Sequence, residues 1–105
     1  MAGGANPNLS GTDDRTALTW AAFYGNVQLI DALVSHGADV NMRGKNGRTP
    51  LIMATKIGNR PAVIALLRRG AAVNLMDTEG KTALTWAVES GDEETEEILR
   101  AQGAQ

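Results

Sequence analysis

Cysteine is absent from the 105 residues, and histidine occurs once, as His36. Without cysteine there is no disulfide framework, no zinc-finger spacing and no thiol nucleophile. The lack suits a reducing compartment, so a cytoplasmic setting is expected. Aromatic side chains are scarce: Trp20, Phe23, Tyr24 and Trp86 are all there are. No apolar run approaches the ~20 residues that a bilayer-spanning helix needs, so no membrane partner is expected. Met1 to Thr12 lacks the charged head and apolar centre of a secretory signal. The sequon Asn8-Leu9-Ser10 is therefore read as chance. An apolar fraction of 43% nevertheless suffices for one domain with a modest core.

The scarcity extends to chemistry. His36 stands beside Ser35, with Asp31 more than a turn earlier. Neighbours on a helix point apart, so these three cannot form a local triad. His36 reads instead as a solvated helix end, favoured by the negative end of the dipole. Asp92, Glu93, Glu94, Glu96 and Glu97 run along one predicted helix and point in several directions. They do not converge as hard-cation ligands must. Gly80-Lys81-Thr82 ends like a phosphate loop, but Leu75 stands where the loop's earlier glycine belongs. Twelve acids against ten bases is a poor footprint for nucleic acid. Neither an enzyme nor a cofactor, metal or nucleic-acid site is expected.

What the chain has is a period. Thr16-Ala17-Leu18-Thr19-Trp20-Ala21-Ala22, Thr49-Pro50-Leu51-Ile52-Met53-Ala54-Thr55 and Thr82-Ala83-Leu84-Thr85-Trp86-Ala87-Val88 start 33 residues apart. Gly25, Gly58 and Gly91 keep the step, as do Gly37, Gly70 and Gly103. A fixed period of this size marks a stacked-repeat solenoid. Each copy predicts two short helices. Thr16, Thr49 and Thr82 can cap the first, and Pro50 suits a first helical position. Gly25, Gly58 or Gly91 closes it, and Asn26, Asn59 or Asp92 caps the second. The second helix carries an apolar stripe, Leu29, Ile30, Leu33 and Val34, and stops at Gly37. Helices are thus expected over 16–24, 26–36, 49–57, 59–69, 82–90 and 92–101. Asn46-Gly47 and Glu79-Gly80 predict tight turns in the polar stretches between copies. In the third copy Thr95, Glu96 and Arg100 replace apolar residues, so its second helix reads as a C-terminal cap.

Charge is segregated along the same period. Residues 1–41 set Arg15 against four aspartates. Residues 42–74 hold seven cations and no acid, and residues 75–105 hold two cations and eight acids. Two explanations stand: attraction between neighbouring repeats, or a basic surface for an acidic partner.

The segments Gly47-Arg48-Thr49-Pro50-Leu51, Gly37-Ala38-Asp39-Val40-Asn41 and Gly70-Ala71-Ala72-Val73-Asn74 resemble the ankyrin repeat, from Gly11 to Gly103. The resemblance implies an all-α solenoid of stacked antiparallel helix pairs with protruding turn or hairpin fingers. The division is residues 1–10 as the tail of a preceding repeat or a flexible terminus, then repeats at 11–43, 44–76 and 77–105. Departures are plain. The family's histidine is Thr19, Ile52 or Thr85, its next leucine is Trp20, Met53 or Trp86, and Asp14 replaces the first finger's glycine.

The implied activity is binding another protein through the concave face. That face carries Thr12, Asp13, Arg15, Lys45, Asn46, Arg48, Thr78, Glu79 and Lys81 on the fingers. Phe23, Tyr24, Lys56, Ile57, Glu89 and Ser90 add the ends of the first helices. Arg15, Arg48 and Lys81 form a basic row suited to acidic groups, and a monomer is expected. Phe23 and Tyr24 either anchor a partner or cover the flank left by a missing upstream repeat. Trp20 and Trp86 read as packing residues with their indole hydrogens at a polar rim. By resemblance, Asn41 and Asn74 are candidates for asparagine hydroxylation, against a purely structural role in bonding finger backbone. Two alternatives to a binding module remain: a regulatory or scaffold part of a larger enzyme or complex, and an excised or engineered array with no dedicated partner.

Overall fold

The computed structural model describes residues 17–105. Six helices alternate in two layers: α1 (Ala17–Tyr24), α2 (Val27–Ser35), α3 (Pro50–Lys56), α4 (Arg60–Arg68), α5 (Ala83–Ser90) and α6 (Glu93–Ala101). Each expected helix is present, with ends within one residue or so of those expected. The pairs α1–α2, α3–α4 and α5–α6 fold back on themselves. First helices pack on first helices, α1 on α3 and α3 on α5, and second helices do likewise.

Local chemistry sets the boundaries. The Thr49 hydroxyl accepts from the Ile52 amide at 3.2 Å, and Thr82 and Thr85 form a reciprocal capping box. The cap expected of Thr16 lies outside the described residues. Asn26, Asn59 and Asp92 each accept from the amide three residues on and start the second helices. Each second helix closes through a glycine with positive φ, 98° at Gly37 and 86° at Gly70. His36 is the C-cap of α2, and its Nδ1 lies 2.7 Å from the Ala32 carbonyl oxygen.

The core repeats as the sequence does. Leu18, Leu51 and Leu84 are buried, and so are Leu33, Leu66 and Leu99. Ala21, Ala54 and Ala87 form a buried column of small side chains where the first helices meet. One substitution departs from the expected pattern. Thr95 replaces an apolar residue yet is fully buried, because its hydroxyl donates to Asp92 at 2.6 Å and so needs no water. Leu29 departs the other way: it is 42% exposed, although Ala62 and Thr95 at the same place are buried.

The segments between repeats are turns, with no strand among the described residues. In the first, the Gly44 amide donates to the Arg48 carbonyl at 2.9 Å, around a tight turn with Asn46 left-handed. In the second, the Asp77 amide donates to the Lys81 carbonyl at 2.9 Å. The two fingers are joined by a bond from the Thr78 amide to the Asn46 carbonyl.

Two glycines separate backbone strain from collision. A Cβ on Gly70 would meet nothing, so Gly70→Val should cost only its left-handed conformation, about 1 kcal/mol or somewhat more. Gly25 is also left-handed, at φ 69°, but a Cβ there would run into the side chain of Asn59, the cap of α4. Gly25→Val should therefore lower the urea midpoint clearly more than Gly70→Val. Equal midpoints would show that the first repeat yields at that contact.

Candidate functional site

The fingers and the first helices meet around one indole. Trp86, on the second turn of α5, is half-buried, with one side packed on the core. Its Nε1 donates to Asp77 Oδ2 at 3.0 Å. The rim position expected of its indole hydrogen is found. Three cations lie over the ring: Lys81 Nζ at 4.4 Å from the centroid, the Arg48 guanidinium at 5.3 Å and Lys56 Nζ at 5.5 Å. Such contacts are attractive because the ring face is electron-rich. They come from two fingers and from α3, so Trp86 joins the second repeat to the third.

Asp77 is the hub beneath. Besides the indole, its carboxylate accepts from the amides of Glu79 at 2.9 Å and Lys81 at 3.0 Å. Burial disfavours its charge, but the Lys81 amide, the Trp86 indole, the Glu79 amide and the Arg48 charge outweigh that. The net effect holds Asp77 below the usual aspartate value. Acids surround the cations in turn. Lys81 reaches Glu89 at 3.0 Å and Glu79 at 3.6 Å, and Arg48 reaches Glu79 at 4.0 Å. The Glu89 bond leads the interactions that raise Lys81's pKa.

Five expected site residues are thus brought together: Arg48, Lys56, Glu79, Lys81 and Glu89. Asn46 and Thr78 meet through backbone at the finger tips, and Lys45 opens the 3-10 turn Lys45–Gly47. Ile57 and Ser90 end their helices, Ile57 38% exposed. Thr12, Asp13 and Arg15 lie outside the described residues, so the basic row is seen only as Arg48 and Lys81. Both are engaged by acids of the same chain. Asp77 and Trp86 were not among the expected site residues. The sequence signal was available: the equivalents of Asp77 are Gly11 and Gly44.

A second cluster sits on α1. Trp20 stacks on Tyr24, with ring centroids 5.9 Å apart and 14° between planes. Phe23 meets both edge-on, at 6.1 and 5.1 Å. Trp20 and Phe23 are half-buried, while Tyr24 is 70% exposed. Trp20 thus packs with exposed aromatics at the rim, unlike Met53, its buried counterpart in the second repeat.

Asn41 and Asn74 sit where they stitch repeats. Asn41 Oδ1 accepts from the Ala72 amide at 2.8 Å, and Asn74 Oδ1 accepts from the Gln105 amide at 3.1 Å. The bonds reach the equivalent loop of the next repeat rather than the asparagine's own finger.

Charge segregation has a structural use. Arg60 holds Asp92 at 3.2 Å and Glu94 at 2.7 Å, and Arg69 holds Asp31 at 3.0 Å. With Arg48–Glu79, these pairs tie the basic middle repeat to both acidic neighbours. Exposed pairs of this kind contribute little each, so register rather than stability is their main effect.

Family comparison agrees with this geometry. The family model for ankyrin repeats (three copies) matches residues 1–77 and again residues 18–105. The chain belongs to the ankyrin-repeat family, whose members are generally protein–protein interaction modules. No curated protein matches the chain. Among the described residues no helix is long and apolar enough to cross a membrane.

Asp77 and Asp92 make stability depend on acid. Asp92 is held low first by the Thr95 hydroxyl, against burial, then by the Thr95 amide and Arg60. A carboxyl whose folded value lies below its unfolded value, about 3.9, stabilises the fold fully above that value. The contribution is lost as pH falls through the folded value. The urea midpoint should therefore drop from about pH 5 downward, and less steeply in Asp77→Asn. At pH 7 Asp77→Ala should cost about 2 kcal/mol, because two amides and an indole lose a charged acceptor. A midpoint unchanged at both pH values would remove Asp77 from the hub.

Proposed function

We propose that this array binds a partner protein through the face built from its fingers and the ends of α1, α3 and α5. The observation that supports this most is Tyr24, 70% exposed on a Trp20–Phe23 base. Ordering an aromatic costs little entropy when its neighbours already fix its rotamer, and such side chains are frequent binding anchors. Ile57 extends the apolar strip one repeat on. Arg48, Lys56, Lys81, Glu79, Glu89 and Ser90 supply its polar remainder, with Thr12, Asp13 and Arg15 at the first finger.

The charges around Trp86 are balanced within the chain, so an acidic group of the partner must compete with Glu79 and Glu89. Aromatic contact then supplies most of the affinity, and Arg48 and Lys81 set the rate of encounter. The reading is of a monomeric cytoplasmic binding module without catalysis of its own.

The test begins by capturing proteins from lysate on the wild-type chain and measuring the affinity of one captured partner directly. Tyr24→Ala should weaken that binding by about 1–3 kcal/mol while the melting temperature stays put. Arg48→Glu should slow association, with the difference shrinking as salt is added. A sharply lower melting temperature in Tyr24→Ala, with unchanged affinity for the folded fraction, would instead make the aromatic cluster a cover for the flank.

A further inference from the structure

The second helices pack α2 on α4 and α4 on α6, and the 33-residue period puts equivalent residues at both seams. At the first seam Asp31 and Arg69 form an ion pair at 3.0 Å, a strap from the middle of α2 to the end of α4. At the second seam the same two positions are Ile64 and Gln102, which cannot pair. A groove of about 270 Å³ lies there instead, lined by Ile64, Leu67, Arg68, Ile98 and Gln102. Its apolar residues, Ile64, Leu67 and Ile98, are all half-buried.

The charges at the groove are unequal at its two ends. Arg68, at the end of α4, is exposed and makes no ion pair, although Arg48, Arg60, Arg69, Lys81 and Arg100 all do. On α6 the stripe through Gln102 and Ile98 continues to Glu94, one turn nearer the N-terminus. Glu94 is already held by Arg60 at 2.7 Å. One end of the groove is therefore neutralised, and the other presents a cation beside aliphatic side chains. The volume is below the ~300 Å³ at which small-molecule pockets begin, so it suits one or two side chains.

We propose that this seam is a second docking site, on the layer of second helices, for a partner segment that pairs an aliphatic side chain with a carboxylate. The aliphatic group fills the space between Ile64, Leu67 and Ile98, and the carboxylate takes the free donors of Arg68. The site is distinct from the finger face and stands or falls apart from it.

The probe is an acetylated, amidated peptide of sequence EDLLE, titrated into the isotope-labelled full chain and followed by amide resonances. Shifts should concentrate at Ile64, Leu67, Arg68, Ile98 and Gln102, and leave Tyr24 and Trp86 in place. A KRLLK peptide should bind far more weakly, and an EDSSE peptide likewise. Arg68→Glu should reduce EDLLE affinity about tenfold or more with no change in melting temperature. Ile64→Asp combined with Gln102→Arg rebuilds the strap of the first seam. It should abolish binding while the protein stays folded. Absence of any shift with EDLLE, shifts confined to the finger face, equal binding by KRLLK, or full affinity in either variant would each overturn the proposal.

Discussion

None of these helices could stand alone. They run seven to nine residues, shorter than the roughly 12–15 at which even a favourable isolated helix becomes marginal in water. Each helix pair also lacks a partner for its apolar side until the next pair arrives. The stack is therefore the unit of stability, and the alanine column through Ala21, Ala54 and Ala87 is its tightest part. A larger side chain in that column would hold two layers apart and expose the leucines beside it.

Stacking leaves the fingers with a separate problem. Their backbone is not helical, and its amides need acceptors from elsewhere. Asp77 meets that need in the second finger and draws Trp86 into the same network. A buried carboxylate is costly unless fully satisfied, and here three donors and a nearby arginine satisfy it. The cations over Trp86 follow from this arrangement, since the indole that serves Asp77 by its edge offers its face to them.

Much of this was legible in the sequence because capping is local chemistry. Thr49, Thr82, Asn59 and Asp92 act on amides three residues away, so spacing alone locates them. The aromatic group on α1 was half legible. Its residues are close in sequence, but the stacking of Tyr24 on Trp20 depends on side-chain rotation. Three things were hidden because they depend on residues that meet across repeats. Thr95 looked polar and is buried, since its partner Asp92 satisfies it. The cations on Trp86 come from positions 48, 56 and 81, which no single helix brings together. The open seam at Ile64 and Gln102 shows only when one seam is compared with the other.

The asparagine stitches give the array a direction. Asn41 holds the loop that begins the second repeat's exit, at Ala72, and Asn74 holds the chain end at Gly103 and Gln105. Each link is made by an earlier residue on a later loop. Loosening the last repeat therefore withdraws a client of Asn74 and leaves the Asn41 link intact. Loosening the first removes the support of the loop after it. Mechanical load applied at the two ends would meet unequal resistance: the chain can be peeled from its C-terminal side one layer at a time, while a pull from the other side disturbs two layers at once.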